Sequence, residues 1–358
     1  MEEDAYHGGL SCTWCHGGTE PALDKHASHE GMITNPDVGL DSACVSCHPA
    51  EVGAFEGSMH QSLRGEHASV ALRSGMDDWE SDEVWAAGYD ASCNSCHATC
   101  GECHISRPDS AGGGFVSGHK FERTPSMINQ CTACHGSRIG EEFRGTHRTE
   151  IAGYQADVHY LASMRCEACH TAEEIHGASA DHRYAVEEMP RCEDCHPDLD
   201  AANEYHETHY GTLSCQVCHA QDYKHCASCH VPDGLDESSE LGFKIGLNPR
   251  PDDRPYTYVT LRHIPVVPDT FVGWGVTGEL SGYALLPSFE YTTPHNIRRW
   301  TDRTTPGGDA TCYGPCHDSP DAAEGWFLRQ ADLDRFPDEA DANAPYIVPD
   351  GPPTAWDR

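Results

Sequence analysis

Cys93-Asn-Ser-Cys96-His97-Ala-Thr-Cys100-Gly-Glu-Cys103-His104 sets two copies of Cys-x-x-Cys-His almost end to end. That word is the attachment signature of a c-type haem: its two thiols add to the porphyrin vinyl groups and its histidine ligates the iron. Only Ala98 and Thr99 separate the first copy's histidine from the second copy's leading cysteine. Two porphyrins tethered there must lie nearly in contact.

Outward from this stretch the word recurs as Cys12, Cys15 and His16, as Cys44, Cys47 and His48, as Cys131, Cys134 and His135, and as Cys166, Cys169 and His170. It continues as Cys192, Cys195 and His196, as Cys215, Cys218 and His219, and as Cys226, Cys229 and His230. Cys312, Cys316 and His317 form a variant with one extra residue between the cysteines. These motifs use all 20 cysteines of the chain. Zinc knuckles and disulfides are the ordinary readings of paired cysteines, but neither needs a histidine directly after the second cysteine. With 25 His in 358 residues, ten such coincidences have a chance probability on the order of 10⁻¹². The motifs therefore predict ten covalently bound haems c, each with its motif histidine as one axial ligand.

Roughly one haem per 36 residues leaves too little chain around each for an ordinary core. Hydrophobic content is 38%, with 34 Gly and 23 Pro, a loop-rich composition. The expected fold is mostly irregular coil with short helices around a haem core, and a few short β-strands in the C-terminal part. By the logic of metal-coupled folding, the haem-free chain should not fold. Net charge is −35, which argues against nucleic acid and anionic lipid as partners. No run of apolar residues is long enough for a membrane span. Lysine is scarce beside arginine, and Arg107, Arg123, Arg138 and Arg165, close to motifs, are candidates for pairing with propionates. Covalent haem attachment takes place beyond the cytoplasmic membrane. The expected location is therefore extracellular or at the cell surface, alternatively periplasmic, after export by a signal peptide not present in this numbering.

Along the chain, residues 1–90 read as an N-terminal two-haem region, with short helices at Met59–Ser74 and Asp78–Ala87. Residues 91–230 form a seven-haem central cluster. Residues 231–335 read as a C-terminal region with one haem, opening with a Pro/Asp/Gly-rich connector over 231–255. Aromatic and β-branched runs at Tyr256–Arg262 and Phe271–Trp274 predict short strands. Residues 336–358 read as an extended tail, a candidate arm onto a neighbouring subunit. Internal echoes, such as Phe55-Glu-Gly-Ser-Met-His60 against Phe143-Arg-Gly-Thr-His147, suggest duplicated haem-binding units.

What fills the second axial position of each iron separates a conduit from an enzyme. Fifteen histidines lie outside the motifs, enough to cap all ten irons. The preferred distal ligands are His7, His29, His60, His119, His147, His159, His176, His209, His263 and His295, chosen beside apolar or glycine-containing turns between motifs. His26, His67, His182, His206 and His225 are reserves. Iron held by two histidines is saturated and exchanges electrons without binding substrate, and without methionine ligation its potential is low.

The paired motif at Cys93–His104 is followed by Gly112-Gly-Gly-Phe-Val-Ser-Gly-His119, Cys131-Thr-Ala-Cys-His-Gly-Ser-Arg138 and Asp157-Val-His159-Tyr. With Leu213-Ser-Cys-Gln-Val-Cys-His219 and Tyr223-Lys-His-Cys226, these stretches resemble the multihaem c-type cytochromes of extracellular electron transfer. The resemblance covers roughly residues 7–317. It implies a multihaem cytochrome c fold and an electron-transfer conduit with no catalytic residues of its own. Other redox proteins or extracellular electron acceptors are the implied partners, with self-association into a homopolymeric filament as some members show. Two alternatives stay open: a multihaem reductase of the nitrite, hydroxylamine or tetrathionate type with one open iron, Cys312–His317 being the first suspect, or a discrete periplasmic electron carrier.

Overall fold

A computed structural model of the protein describes residues 6–20, 23–94, 98–146, 153–177, 180–222, 242–264, 268–280, 282–304, 312, 314–317 and 325–348. The chain divides into two units. The first comprises Met1–His67, Asp90–Ser137 and Arg165–Met189; the second comprises Ala68–Tyr89, Arg138–Met164 and Pro190–Arg358. Segments distant in sequence interleave within each unit.

Helices are short, as loop-rich composition and scattered caps dictate. The expected helical stretch Met59–Ser74 is Met59–Ser62 followed by Arg64–Ser74, broken at Leu63, whose φ of 48° is left-handed. The stretch expected at 78–87 is a 3₁₀ turn, Trp79–Ser81, and then the helix Glu83–Ser92. Asp82 starts that helix by accepting the amides of Val84 and Trp85 at 2.9 and 3.2 Å, satisfying donors the first turn leaves open.

The second unit carries an antiparallel sheet of β1 (Lys244–Leu247), β2 (Tyr258–His263) and β3 (Phe289–Tyr291), in that order. Ile245 opposes Thr260, and Leu261 opposes Tyr291. Five consecutive residues of β2, Val259–His263, are buried, so both faces of the central strand are covered. One small core joins Val217, Ala220, Phe243, Ile245, Phe327 and Val348. Val217 and Ala220 belong to or border the motif at Cys215, so this sheet is what braces that motif.

Three expectations change. Phe271–Trp274 is not a strand: Val272–Trp274 is a 3₁₀ turn closed by Gly275 at φ 88°. Its aromatic rings serve packing instead, with Phe271 and Trp274 at 4.9 and 5.8 Å from the Trp85 ring. Gly88 is what admits them, since a Cβ there would sit 2.4 Å from Trp274 Cγ. The connector over 231–255 contains β1, whose Lys-Ile-Gly-Leu is too short and too interrupted to show alternation. Residues 336–348 are not an arm. Val348 is buried in the core of its own unit, its amide bonded to the Leu328 carbonyl at 2.9 Å and its carbonyl to Arg329; residues 349–358 lie outside the described residues. Among the described residues no helix is long and apolar enough to cross a membrane.

Gly246 in β1 faces the Tyr346 carbonyl at 2.7 Å and a Leu261 methyl at 2.3 Å from where a Cβ would stand. Gly246→Ala should destabilise the second unit by about 1–3 kcal/mol through overpacking, read as a lowered midpoint of thermal unfolding.

Candidate haem centres

One turn of helix brings a motif's chemistry to one face. In Cys-x-x-Cys-His the second thiol is three residues and the imidazole four residues beyond the first thiol, the two spacings that align along a helix. Cys12–His16, Cys100–His104 and Cys215–His219 are such turns. Ser11 caps the first, accepting the Trp14 amide at 3.2 Å. Thr99 and Glu102 cap the second reciprocally, while Asp37 reaches the amide of Gly101 at 2.7 Å. In the variant motif the helix covers Gly314–His317, leaving Cys312 outside it.

Distal histidines ride on capped turns too. His60 follows Ser58, which accepts the Gln61 amide. His159 follows Asp157, which accepts its amide at 2.7 Å. His206 and His209 share the helix Glu204–His209, started by Asn203.

Seven motif histidines each face one other histidine at nearly constant separation. In the first unit the ring centres of His16 and His119 are 6.2 Å apart, of His48 and His7 6.3 Å, of His135 and His60 6.2 Å, and of His104 and His176 6.1 Å. In the second unit His196 and His159 are 6.3 Å apart, His219 and His206 6.1 Å, and His317 and His209 6.1 Å. A metal–imidazole bond of about 2.0 Å and roughly 1.1 Å from ring nitrogen to ring centre, doubled for two ligands in line through one ion, give about 6.2 Å. Two imidazoles at the tetrahedral angle on zinc would stand only about 5 Å apart. Direct imidazole stacking has no reason to hold seven pairs to one distance while their interplanar angles run from 16° to 84°. These paired histidines thus fit a haem, whose iron each pair would hold between its two imidazoles.

Two other observations agree with that fit. Trp14, Ile33, Phe115, Leu161 and Tyr210, all beside ligands, are large side chains left exposed by the polypeptide, the walls a porphyrin face would cover. Arg138 Nη1 is buried without a hydrogen-bond partner, although the Glu142 carboxylate acts on it electrostatically; it is a donor with capacity for a further acceptor. The zinc and disulfide readings find no such support. Among the described residues no three His, Cys, Asp or Glu converge as a metal-binding group, and the 17 described cysteines are free thiols.

Of the preferred distal ligands, His7, His60, His119, His159, His176 and His209 face motif histidines. His206, held in reserve, faces His219. The signal was available: His206 and His209 are three residues apart, which puts two imidazoles on one helical face. His263 departs from expectation. It is buried on β2 between Phe289 and Phe336, at 4.6 and 4.1 Å, with Nε2 3.2 Å from Glu339, the surroundings of a core histidine. His29 lies exposed at the end of Lys25–His29. The amide of His295 donates to Glu142 at 2.9 Å. His147, together with Cys96, His97, Cys226, Cys229, His230 and the reserve His225, lies outside the described residues.

The second ring nitrogens are also held. Nδ1 of His16 meets the Ile33 carbonyl at 2.8 Å, that of His104 the Glu122 carbonyl at 2.7 Å, that of His219 the Arg298 carbonyl at 3.1 Å, and that of His209 the Tyr205 carbonyl at 2.8 Å. Such contacts fix the tautomer that leaves Nε2 for a metal. Burial, reinforced by His135, pushes His60 down to about 4. Burial also lowers His104 and His219. These imidazoles are therefore neutral at neutral pH, the form that ligates.

Thiols of different motifs meet as well. Cys44 hydrogen-bonds Cys100, Cys131 bonds Cys166, and Cys192 bonds Cys215, every one the leading cysteine of its motif. Electrostatic neighbours extend these contacts: Cys15 with Cys44, Cys103 with Cys131 and Cys134, Cys218 with Cys316. Among the described residues these contacts link the sites at Cys12, Cys44, Cys100, Cys131 and Cys166 in the first unit and those at Cys192, Cys215 and Cys312 in the second; the Cys226 motif lies outside the described residues.

Two measurements check this geometry in haem-loaded protein. Near-perpendicular rings at His16–His119 and His60–His135, 84° and 82°, leave the iron's two π-symmetry d orbitals nearly degenerate. The ferric EPR spectrum should therefore contain highly anisotropic low-spin signals beside the rhombic ones of the flatter pairs. His206→Ala should convert one haem to high spin, since His206 is the imidazole that faces His219 at 6.1 Å.

No protein-family model matches the chain, and comparisons with curated proteins and with solved structures returned no significant similarity, so a functional reading rests on the ligand geometry of the chain itself.

Proposed function

We propose that the chain is an electron-transfer protein that carries ten haems c, mostly with two histidine ligands, as a conduit. One observation carries the reading: seven motif histidines each face a second histidine at 6.1–6.3 Å. Haem supplies a one-electron Fe(III)/Fe(II) couple when bound. The chain's part is to saturate each iron, hold the imidazoles neutral and set neighbouring attachment sites in contact, which keeps electron hops short. In the further part of the reading, the partners are other redox proteins or extracellular acceptors.

The reductase alternative needs an open iron, and its first suspect, the Cys312–His317 motif, has His209 opposite its histidine at 6.1 Å. That observation favours the conduit. The filament reading drew on the terminal arm, and the arm packs into its own unit as far as Val348.

Purified protein should carry ten haems by mass and by alkaline pyridine absorbance, and its ferric EPR spectrum should be low-spin. Zinc in place of iron, or a high-spin signal accompanied by nitrite or hydroxylamine turnover, would overturn the proposal.

A further inference from the structure

Two ligand imidazoles differ from the rest in what holds their second nitrogen. His170 Nδ1 lies 3.0 Å from both carboxylate oxygens of Glu174, one helical turn onward. His159 Nδ1 lies 2.8 Å from Asp157 Oδ1, whose other oxygen accepts the Ile297 amide at 2.6 Å. Both carboxylates are shielded, with side chains 10% and 3% exposed. The four other ring nitrogens described above meet backbone carbonyls.

An N–H held by a carboxylate is a charge-assisted bond, stronger than one to a carbonyl. It draws the proton away from the ring, makes the opposite nitrogen a stronger donor and stabilises the ferric ion. A negative charge so close to the metal acts in the same direction, and burial weakens the screening. On the reading that these histidines ligate haem, we infer that Glu174 and Asp157 make the haems of the sixth and seventh motifs, at Cys166–His170 and Cys192–His196, more reducing than those whose ligand nitrogens meet backbone carbonyls.

The test is a spectroelectrochemical titration of the ten-haem protein carrying Glu174→Gln, with Glu173→Gln, an exposed neighbouring carboxylate, as the control for simple charge loss. In Glu174→Gln the absorbance of one haem in ten should leave the low-potential end of the titration. At fixed potential its oxidised-to-reduced ratio should fall at least about tenfold, 59 mV for a one-electron couple. Glu173→Gln should titrate as the unmodified protein does. Asp157→Asn should move a second tenth in the same sense, independently of the first. If Glu174→Gln loses a haem, Glu174→Asp, which keeps the charge but shortens the reach, and Asp157→Asn decide the matter. Equal titrations for the Glu174 and Glu173 variants, or a shift confined to the high-potential end, would overturn the inference while leaving the haem count, and with it the proposed function, intact. An unmodified protein without haem would overturn both.

Discussion

The constraint the described structure turns on is the holding of paired imidazoles at one separation, 6.1–6.3 Å between ring centres. Each member of a pair sits on a turn too short to be stable alone, fastened by a cap such as Ser11, Thr99, Ser58, Asp157 or Asn203. Such turns cannot position a ligand through their own stability. The position comes from closing two turns on one centre, and the polypeptide between them is free to be loop. This accords with a chain of 38% hydrophobic residues whose described apolar clusters are small, one at the sheet and one of aromatic rings around Trp85.

The same constraint orders the electrostatics. A ligand must be neutral on one nitrogen and tethered on the other, so burial lowers His60, His104 and His219 while carbonyls take the N–H. Glu174 changes that balance for His170. Burial presses the imidazole down, but the hydrogen bond to the carboxylate and its charge more than reverse it. Local composition thus sets each centre's electronic character, one neighbour at a time, within a molecule whose overall charge is strongly negative.

The Cys-x-x-Cys-His motifs stand out in the sequence because they are written in consecutive residues. The histidines that face motif histidines were legible in the sequence where a capping or glycine residue lies just before them, as at His60, His119 and His159. They were obscured where the choice lay between near neighbours: His206 and His209 both face motif histidines, and preferring one of them missed the other. His263 misled for a different reason. Its surroundings, Phe289, Phe336 and Glu339, come from three distant stretches, and no local pattern distinguishes a histidine destined for a polar niche in a sheet. The carboxylate partners were hidden likewise, since Glu174 and Asp157 look like ordinary helix-start acids until the ring beside them is known to be a ligand. The strand β1 escaped notice because pairing with β2, rather than its own four residues, makes it a strand.

The interleaving of the two units has a consequence for how the molecule is made. Synthesis runs from the N-terminus, yet the first unit is completed only by residues 165–189, which bring both the Cys166 site and His176, the partner of His104. On the proposed reading, sites set up by the earlier segments would stay half-capped while segments of the second unit are already emerging, and whatever they hold would be exposed to water until the later imidazole arrives.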